Sequence, residues 1–346
     1  MNLGIDLGTS RVVICSPGDH AENGIVLDEP AVIAVDQRDG HLVACGEEAE
    51  KMLGRTPASI RAVRPLQNGV IAEYELAEMM LRHFLHRVCS NRVTKPCVAV
   101  SIAEKVTEVE QRSFIEAVVS AGARRVTLVP ETVAAAIGAG LDVSRPRGQM
   151  LVNVGGGTTD AAVLSLRGTA VSASLRVAGT AMDEAIVRYV RAQYGLLIGE
   201  PMAERVKIAI GGVQRRDQPV SMTVKGRDAL SGLPHAVEIH SDEICDVLQE
   251  TTRLILAQIQ QVLEMTPPEL AGDIMQDCIW LTGGLAPLYG LRERIEQETG
   301  VPCRIPEHPA HCVAIGAARA LQYASSFSEV YYLGDFSYHL SDSVTN

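Results

Sequence analysis

Leu151-Val152-Asn153-Val154-Gly155-Gly156-Gly157-Thr158-Thr159-Asp160 is the stretch that decides the fold of this chain. It continues as Ala161-Ala162-Val163-Leu164. An apolar run thus meets a Gly/Thr turn and comes back as a second apolar run, the sequence form of a β-hairpin. The same device stands near the N-terminus, as Gly4-Ile5-Asp6-Leu7-Gly8-Thr9-Ser10 followed by Val12-Val13-Ile14. Each copy opens an α/β half, which suggests two related domains facing each other. A chain of 346 residues is long enough for two such halves.

The turns carry the candidate chemistry. Glycine lets backbone N–H groups approach phosphate oxygens with no side chain in the way. Two turns facing each other would clamp a phosphate tail from both sides. Asp6, beside the first turn, is suited to hold Mg²⁺ through water. A single glycine hairpin is weak evidence for phosphate and reads more simply as a tight turn in a sheet; the matched pair is much stronger.

Hydrophobic residues make up 47% of the chain and charged residues 21%, a globular composition. The formal charge of -11 argues against nucleic acid, whose phosphates need clustered Lys and Arg. Eight scattered cysteines form no CxxC pair, which points to a reducing compartment. No leader-like N-terminus and no membrane-length apolar run is read, so the expected location is cytoplasmic.

Several elements between and after the hairpins have readable ends. Thr107 and Glu110 form a capping box, Gly122 takes the C′ place, and Val109, Ile115, Val118 and Val119 are expected on that helix's apolar side. A second helix is expected to open at Ser241 and stop before Pro267-Pro268. Its apolar stripe runs through Ile244, Val247, Leu248, Ile255, Ile259, Val262 and Leu263. The Ser-, Tyr- and Asp-rich tail from Ser325 reads as loosely ordered.

On these motifs the chain resembles the actin, Hsp70 and sugar-kinase superfamily. Gly4 to Thr9 resembles its first phosphate motif and Asn153 to Thr159 its second. Gly283-Gly284, after Cys278-Ile279-Trp280-Leu281-Thr282, resembles the turn that receives the adenosine. Further stretches resemble the MreB family in particular. They are Gly24-Ile25-Val26-Leu27-Asp28-Glu29-Pro30, Met52-Leu53-Gly54-Arg55-Thr56-Pro57, Asn68-Gly69-Val70-Ile71-Ala72 and Ala134-Ala135-Ala136-Ile137-Gly138-Ala139-Gly140. Met182-Asp183-Glu184-Ala185-Ile186, Thr266-Pro267-Pro268-Glu269-Leu270-Ala271 and Cys312-Val313-Ala314-Ile315-Gly316 extend the likeness over about residues 3 to 322.

The resemblance implies an actin-like (RNase H-like, duplicated) α/β ATPase fold of two domains, each a core with an inserted subdomain, and nucleotide in the cleft between them. The expected subdomains are IA (1–30, 72–147 and 308–340), IB (31–71), IIA (148–179 and 241–307) and IIB (180–240). ATP and Mg²⁺ are the implied cofactors. Gly8, Thr9, Ser10, Asn153, Gly155, Gly156, Gly157 and Thr158 would surround the phosphates, with Asp6 and Asn153 on the metal's water shell. Glu131, with Asp6 and Thr158, would serve hydrolysis by orienting the attacking water. Gly179, Glu204, Lys207, Gly283 and Gly284 would receive the nucleoside. Without the resemblance, Glu131 reads as a helix N-terminal acid, and Glu204 with Lys207 as an exposed ion pair.

The chain departs from the family pattern around the same site. Asn153 stands where the family has aspartate; it keeps a carbonyl acceptor but loses the charge and brings NH₂ donors. Leu285 replaces a third glycine, Thr180 and Ala181 replace acidic residues, and Pro130-Glu131-Thr132 replaces Glu-Glu-Pro. The expected function is therefore an ATP-binding filament former that organises cell-wall synthesis and cell shape, with weak hydrolysis. Its expected partners are copies of itself, another MreB paralogue and membrane-bound cell-wall elongation proteins. A non-hydrolysing paralogue that co-assembles with another MreB stays open, as does a superfamily enzyme such as a sugar kinase. Peripheral contact with the inner face of the membrane comes from the family, with residues 86–97 as a weak candidate loop carrying Val88, Cys89 and Val93. Cys303, His308, His311 and Cys312 do not match a trusted zinc spacing.

Overall fold

Strand Asn2–Leu7 sends Leu3, Ile5 and Leu7 to one side and Gly4 and Asp6 to the other, following the two-residue period of a strand. The computed structural model describes residues 1–18, 22–89, 95–321 and 330–332. The chain divides into two units, Met1–Ser144 with His311–Asn346, and Arg145–Ala310.

In the first unit a six-stranded sheet runs in the order Val330–Tyr332, Arg125–Pro130, Cys97–Ile102, Asn2–Leu7, Arg11–Cys15, Ile25–Pro30. Asn2–Leu7, Cys97–Ile102 and Arg125–Pro130 are parallel neighbours, so their carboxyl ends share one edge. Leu3, Ile5 and Leu7 share a core with Met80 and Phe84 of helix Tyr74–Cys89 and Phe114 and Val118 of helix Glu108–Ser120. Helix Cys312–Ala320 covers the opposite face so closely that a Cβ on Gly4 would stand 2.2 Å from the Ala318 nitrogen. It also lies against helix Glu131–Gly138. A Cβ on Gly316 would meet the Ala134 carbonyl oxygen at 1.6 Å, and one on Gly138 would meet that of Cys312 at 1.9 Å. The alanine and glycine runs of both helices exist because backbone meets backbone there. Ile33–Asp36, Leu42–Cys45 and Ile60–Val63 form a separate antiparallel sheet.

The second unit repeats the plan with five strands, in the order Gly168–Leu175, Thr159–Ser165, Gln149–Val154, Ile279–Thr282, Cys303–Arg304. Met150, Val152 and Val154 join a core that includes Ile255 and Ile259 of helix Ser241–Met265. A further antiparallel sheet joins Leu196–Leu197, Ser221–Asp228 and Pro234–His240.

The helix ends read from sequence are present. Thr107 and Glu110 close a capping box, and the long helix opens at Ser241 and ends at Met265. Three expectations need correcting. Val109 is 76% exposed. It lies nine residues, or about two and a half turns, before Val118 and so on the opposite face. Val88 and Cys89 are not loop tips: they end helix Tyr74–Cys89 and pack partly buried against the core, while Val93 lies outside the described residues. Within the tail, Val330–Tyr332 is a strand paired with Arg125–Thr127; the rest of that expectation lies outside the described residues.

Candidate functional site

The predicted site residues divide between the units: Asp6, Gly8, Thr9, Ser10 and Glu131 lie on the first and the others on the second.

In the first unit, strands Asn2–Leu7 and Arg11–Cys15 pair antiparallel from Gly4↔Cys15 to Leu7↔Val12, and the Gly8 N–H donates to the Arg11 carbonyl at 3.0 Å to close the turn. Distant segments brace it. Thr9 Oγ1 accepts from the Gly69 amide at 3.0 Å, and the Ser10 carbonyl accepts from Ala31 N at 2.9 Å and from an Arg64 guanidinium nitrogen at 3.2 Å. The amides of Thr9 and Ser10 have no protein partner among the described residues.

Asp6 lies at the shared carboxyl edge of the parallel strands, where ligands of such sheets collect. Burial is the main cause that pushes its carboxyl up to about 7; the nearby Asp28 adds to this, while a 3.3 Å hydrogen bond from Ser101 Oγ and the nearby His311 oppose it. Glu131 opens its helix one residue past strand Arg125–Pro130, at the same edge, and is buried. Its neighbour Thr132 donates to Glu104. Asp28 bonds His311 Nε2 at 3.0 Å and Arg11 Nε at 2.6 Å. Burial pulls the Asp28 carboxyl up, but those hydrogen bonds outweigh it and leave the group below its ordinary value.

In the second unit the hairpin is built the same way, with Asn153↔Asp160 and Val154↔Thr159 as the last pairs, and the Gly155 N–H donating to the Thr158 carbonyl at 2.9 Å. The bracing differs. The first amides of helix Gly179–Tyr194 seize the turn's carbonyls: Gly179 N reaches Gly155 O at 3.2 Å and Thr180 N reaches Gly156 O at 2.8 Å, with Thr180 Oγ1 on that same oxygen at 3.0 Å. A trans peptide points its N–H away from its own carbonyl. The amides of Gly156 and Gly157 therefore face away from the helix, and neither has a protein partner among the described residues. Two adjacent unpartnered amides on a glycine turn are a fitting cradle for an anion.

Lys207 and Asp183 form a buried pair at 2.7 Å, and Lys207 Nζ also donates to the Gly179 carbonyl at 3.0 Å. Desolvation raises the Asp183 carboxyl to about 6, with Lys207 pulling the other way. Glu204, one turn before Lys207 on helix Glu200–Ile210, is half-buried. Asn153 is buried, and its Oδ1 accepts from Thr282 Oγ1 at 3.3 Å. Gly283 follows at φ +92°, where a Cβ would meet the Val154 carbonyl at 2.3 Å; Gly284 has open space around its Cβ position.

The sequence profile of the MreB/Mbl protein family matches residues 1–329. The chain belongs to the MreB/Mbl family. It is 45% identical over 327 residues to the cell shape-determining protein MreB of Escherichia coli strain K12, with 93% of each chain covered. MreB5 of Spiroplasma citri bound to AMPPNP is similar in structure, with TM-score 0.86 and 34% identity over 94% of this chain and 96% of that one. A MamK double helical filament gives TM-score 0.78 at 20% identity, covering 92% and 98%, a likeness of fold alone. The fold of this MreB-family chain is actin-like.

The structure adds residues to the site that the sequence did not mark. Ser101 is one, a polar interruption in the apolar strand Cys97–Ile102, at its carboxyl end. Asp183 and Thr282 are the others, and Thr180, noted only as a departure, holds the turn directly. The signal for Asp183 is an acid on the buried face of helix Gly179–Tyr194, beside Met182 and Ile186. The reading of Glu204 with Lys207 as an exposed ion pair is corrected: Lys207 is buried and takes Asp183.

Proposed function

We propose that this chain binds ATP with Mg²⁺, assembles with copies of itself into filaments, and hydrolyses the nucleotide slowly because Asn153 occupies an aspartate position. The observation that carries the reading is the turn 155–158, whose Gly156 and Gly157 amides are turned outward by the helix behind them. Those amides would take phosphate oxygens, Lys207 and Glu204 the nucleoside, and Glu131 would orient water. In the first unit, Asp6 would suit a hydrated cation. Asp6 is a desolvated carboxyl whose charged form a cation would stabilise, whereas the Asn153 carbonyl oxygen is neutral and already accepts from Thr282. Asp6 would hold Mg²⁺, which would supply charge neutralisation at the phosphates.

The Spiroplasma citri relative, solved with AMPPNP, supports nucleotide binding, and the MamK relative shows that this fold can be built into a filament. The Escherichia coli relative, by its name, supports a role in cell shape; work at the inner face of the membrane alongside cell-wall elongation proteins belongs to the same proposal. Asn153 also favours a second reading, a paralogue that assembles without hydrolysis.

Phosphate release measured with light scattering in Mg-ATP tests both, on the native chain and on Asn153→Asp. Scattering that rises with little phosphate release, and release restored in the variant, supports the first reading. Release that stays absent in both while scattering rises selects the second. Brisk release from the native chain overturns the role given to Asn153.

A further inference from the structure

Lys207 ends a continuous chain of hydrogen bonds that reaches the second glycine turn. Its ammonium has three donors, and two are fixed inside the protein, on Asp183 Oδ2 and the Gly179 carbonyl. Gly179 and Thr180, at the start of the same helix as Asp183, hold the carbonyls of Gly155 and Gly156. Lys207 and Asp183 are 7% and 3% exposed, so water does little to loosen the pair. Asp183 Oδ1, moreover, has no hydrogen-bond partner among the described residues. A buried carboxylate held by one oxygen is expensive to keep, and the one bond it makes is to Lys207.

We propose that Asp183 is a positioning residue for nucleotide binding: through Lys207 and the Gly179–Thr180 helix start, it sets the direction of the Gly156 and Gly157 amides. This rests on the phosphate role given to the turn. The nucleoside end and the phosphate end of the site are then mechanically one object, so a change at the pair alters phosphate binding without touching phosphate.

Charge alone predicts the opposite sign. Removing a carboxylate beside an ammonium makes the region more positive, and anions would bind more tightly. Positioning predicts weaker binding. The probe is inorganic tripolyphosphate, which lacks the nucleoside, titrated by calorimetry against the full chain beside ATP. In Asp183→Asn both ligands are expected to bind about tenfold more weakly, within the usual range for coupled sites. Lys207→Met is expected to do the same, and the double variant to be no worse than either single one. Tripolyphosphate bound as tightly by Asp183→Asn as by the native chain, or more tightly, overturns the proposal, as do effects that simply add.

Hydrogen exchange on the nucleotide-free protein tests the linkage even where the native chain binds neither ligand, which would count against the proposed function. Asp183→Asn is expected to speed exchange at Gly179, Thr180 and Gly155 while leaving strand Gln149–Val154 protected. Uniform acceleration across the unit means a structural role only and overturns it. Thr180→Val leaves the ion pair intact, and it serves where Asp183→Asn does not fold. It is expected to weaken tripolyphosphate too, and unchanged binding there overturns the proposal.

Discussion

The two hairpins make the same turn with different neighbours. In both, the N–H of the first turn glycine reaches the carbonyl three residues on, from Gly8 to Arg11 and from Gly155 to Thr158. Two residues before each glycine stands the polar residue of the strand, Asp6 in one and Asn153 in the other. Four residues before stand Gly4 and Leu151. The first turn is braced by loops far along the chain, through Gly69, Ala31 and Arg64, and the second by one helix start. A repeated backbone device thus keeps its shape while its surroundings decide what it can hold. Both turns leave two amides without a protein partner among the described residues, Thr9 and Ser10 in one and Gly156 and Gly157 in the other, but only the first has a carboxylate, the desolvated Asp6, two residues before its glycine.

Exchanging what differs between the halves tests how deep the likeness runs. The largest effect is expected at the Gly4/Leu151 pair. Gly4→Ala drives a methyl into the backbone of helix Cys312–Ala320 and is expected to cost about 4 kcal/mol or more. Leu151→Ala empties a fully buried site at the matching position, at about 2–5 kcal/mol. Chemical denaturation of the two variants checks the order, and an unaffected Gly4→Ala would break the comparison.

Next comes Asn153→Asp, read as stability rather than activity. Asn153 is paired directly across the strands with the buried Asp160, so the variant sets two carboxylates side by side. A cost of about 2 kcal/mol is expected at neutral pH. The new carboxyl's folded pKa should be raised, so the cost should vanish at low pH, where the group is neutral, and grow as pH rises. Melting temperatures across pH, with and without Mg²⁺, measure it; a cost that falls as pH rises would refute the crowding.

The smallest effect separates the turns themselves. Thr9→Val removes the acceptor of the Gly69 amide and is expected to cost about 1 kcal/mol, whereas Thr158→Val, whose hydroxyl has no hydrogen-bond partner among the described residues, should stay within about 0.5 kcal/mol. Equal costs from the two would show that the bracing does not differ.

What was legible in the sequence was what is local. Alternation broken by a glycine turn announced both hairpins, and a Thr-x-x-Glu pattern announced a helix start, because each is decided within a few residues. The face of a helix was less secure. Val109 fits an apolar list, but its angle around the axis places it in solvent. Side-chain partners across elements were not legible. Glu204 is three residues from Lys207, but Asp183, on another helix and 24 residues upstream, takes the ammonium because the fold brings the two helices together. Ser101 reached Asp6 for the same reason, by strand register rather than by spacing.

The stacked backbones of Gly4, Gly316 and Gly138 bear on how force travels through the first unit. Side chains can shear past one another by changing rotamer; backbones in contact cannot. Strand Asn2–Leu7, which carries Asp6, and helix Glu131–Gly138, which carries Glu131, are both seated on helix Cys312–Ala320 without a cushion. They should therefore behave as one stiff plate. A strain arriving anywhere on that plate should tilt strand and helix together, with little change in the spacing of the two backbones that carry the carboxylates.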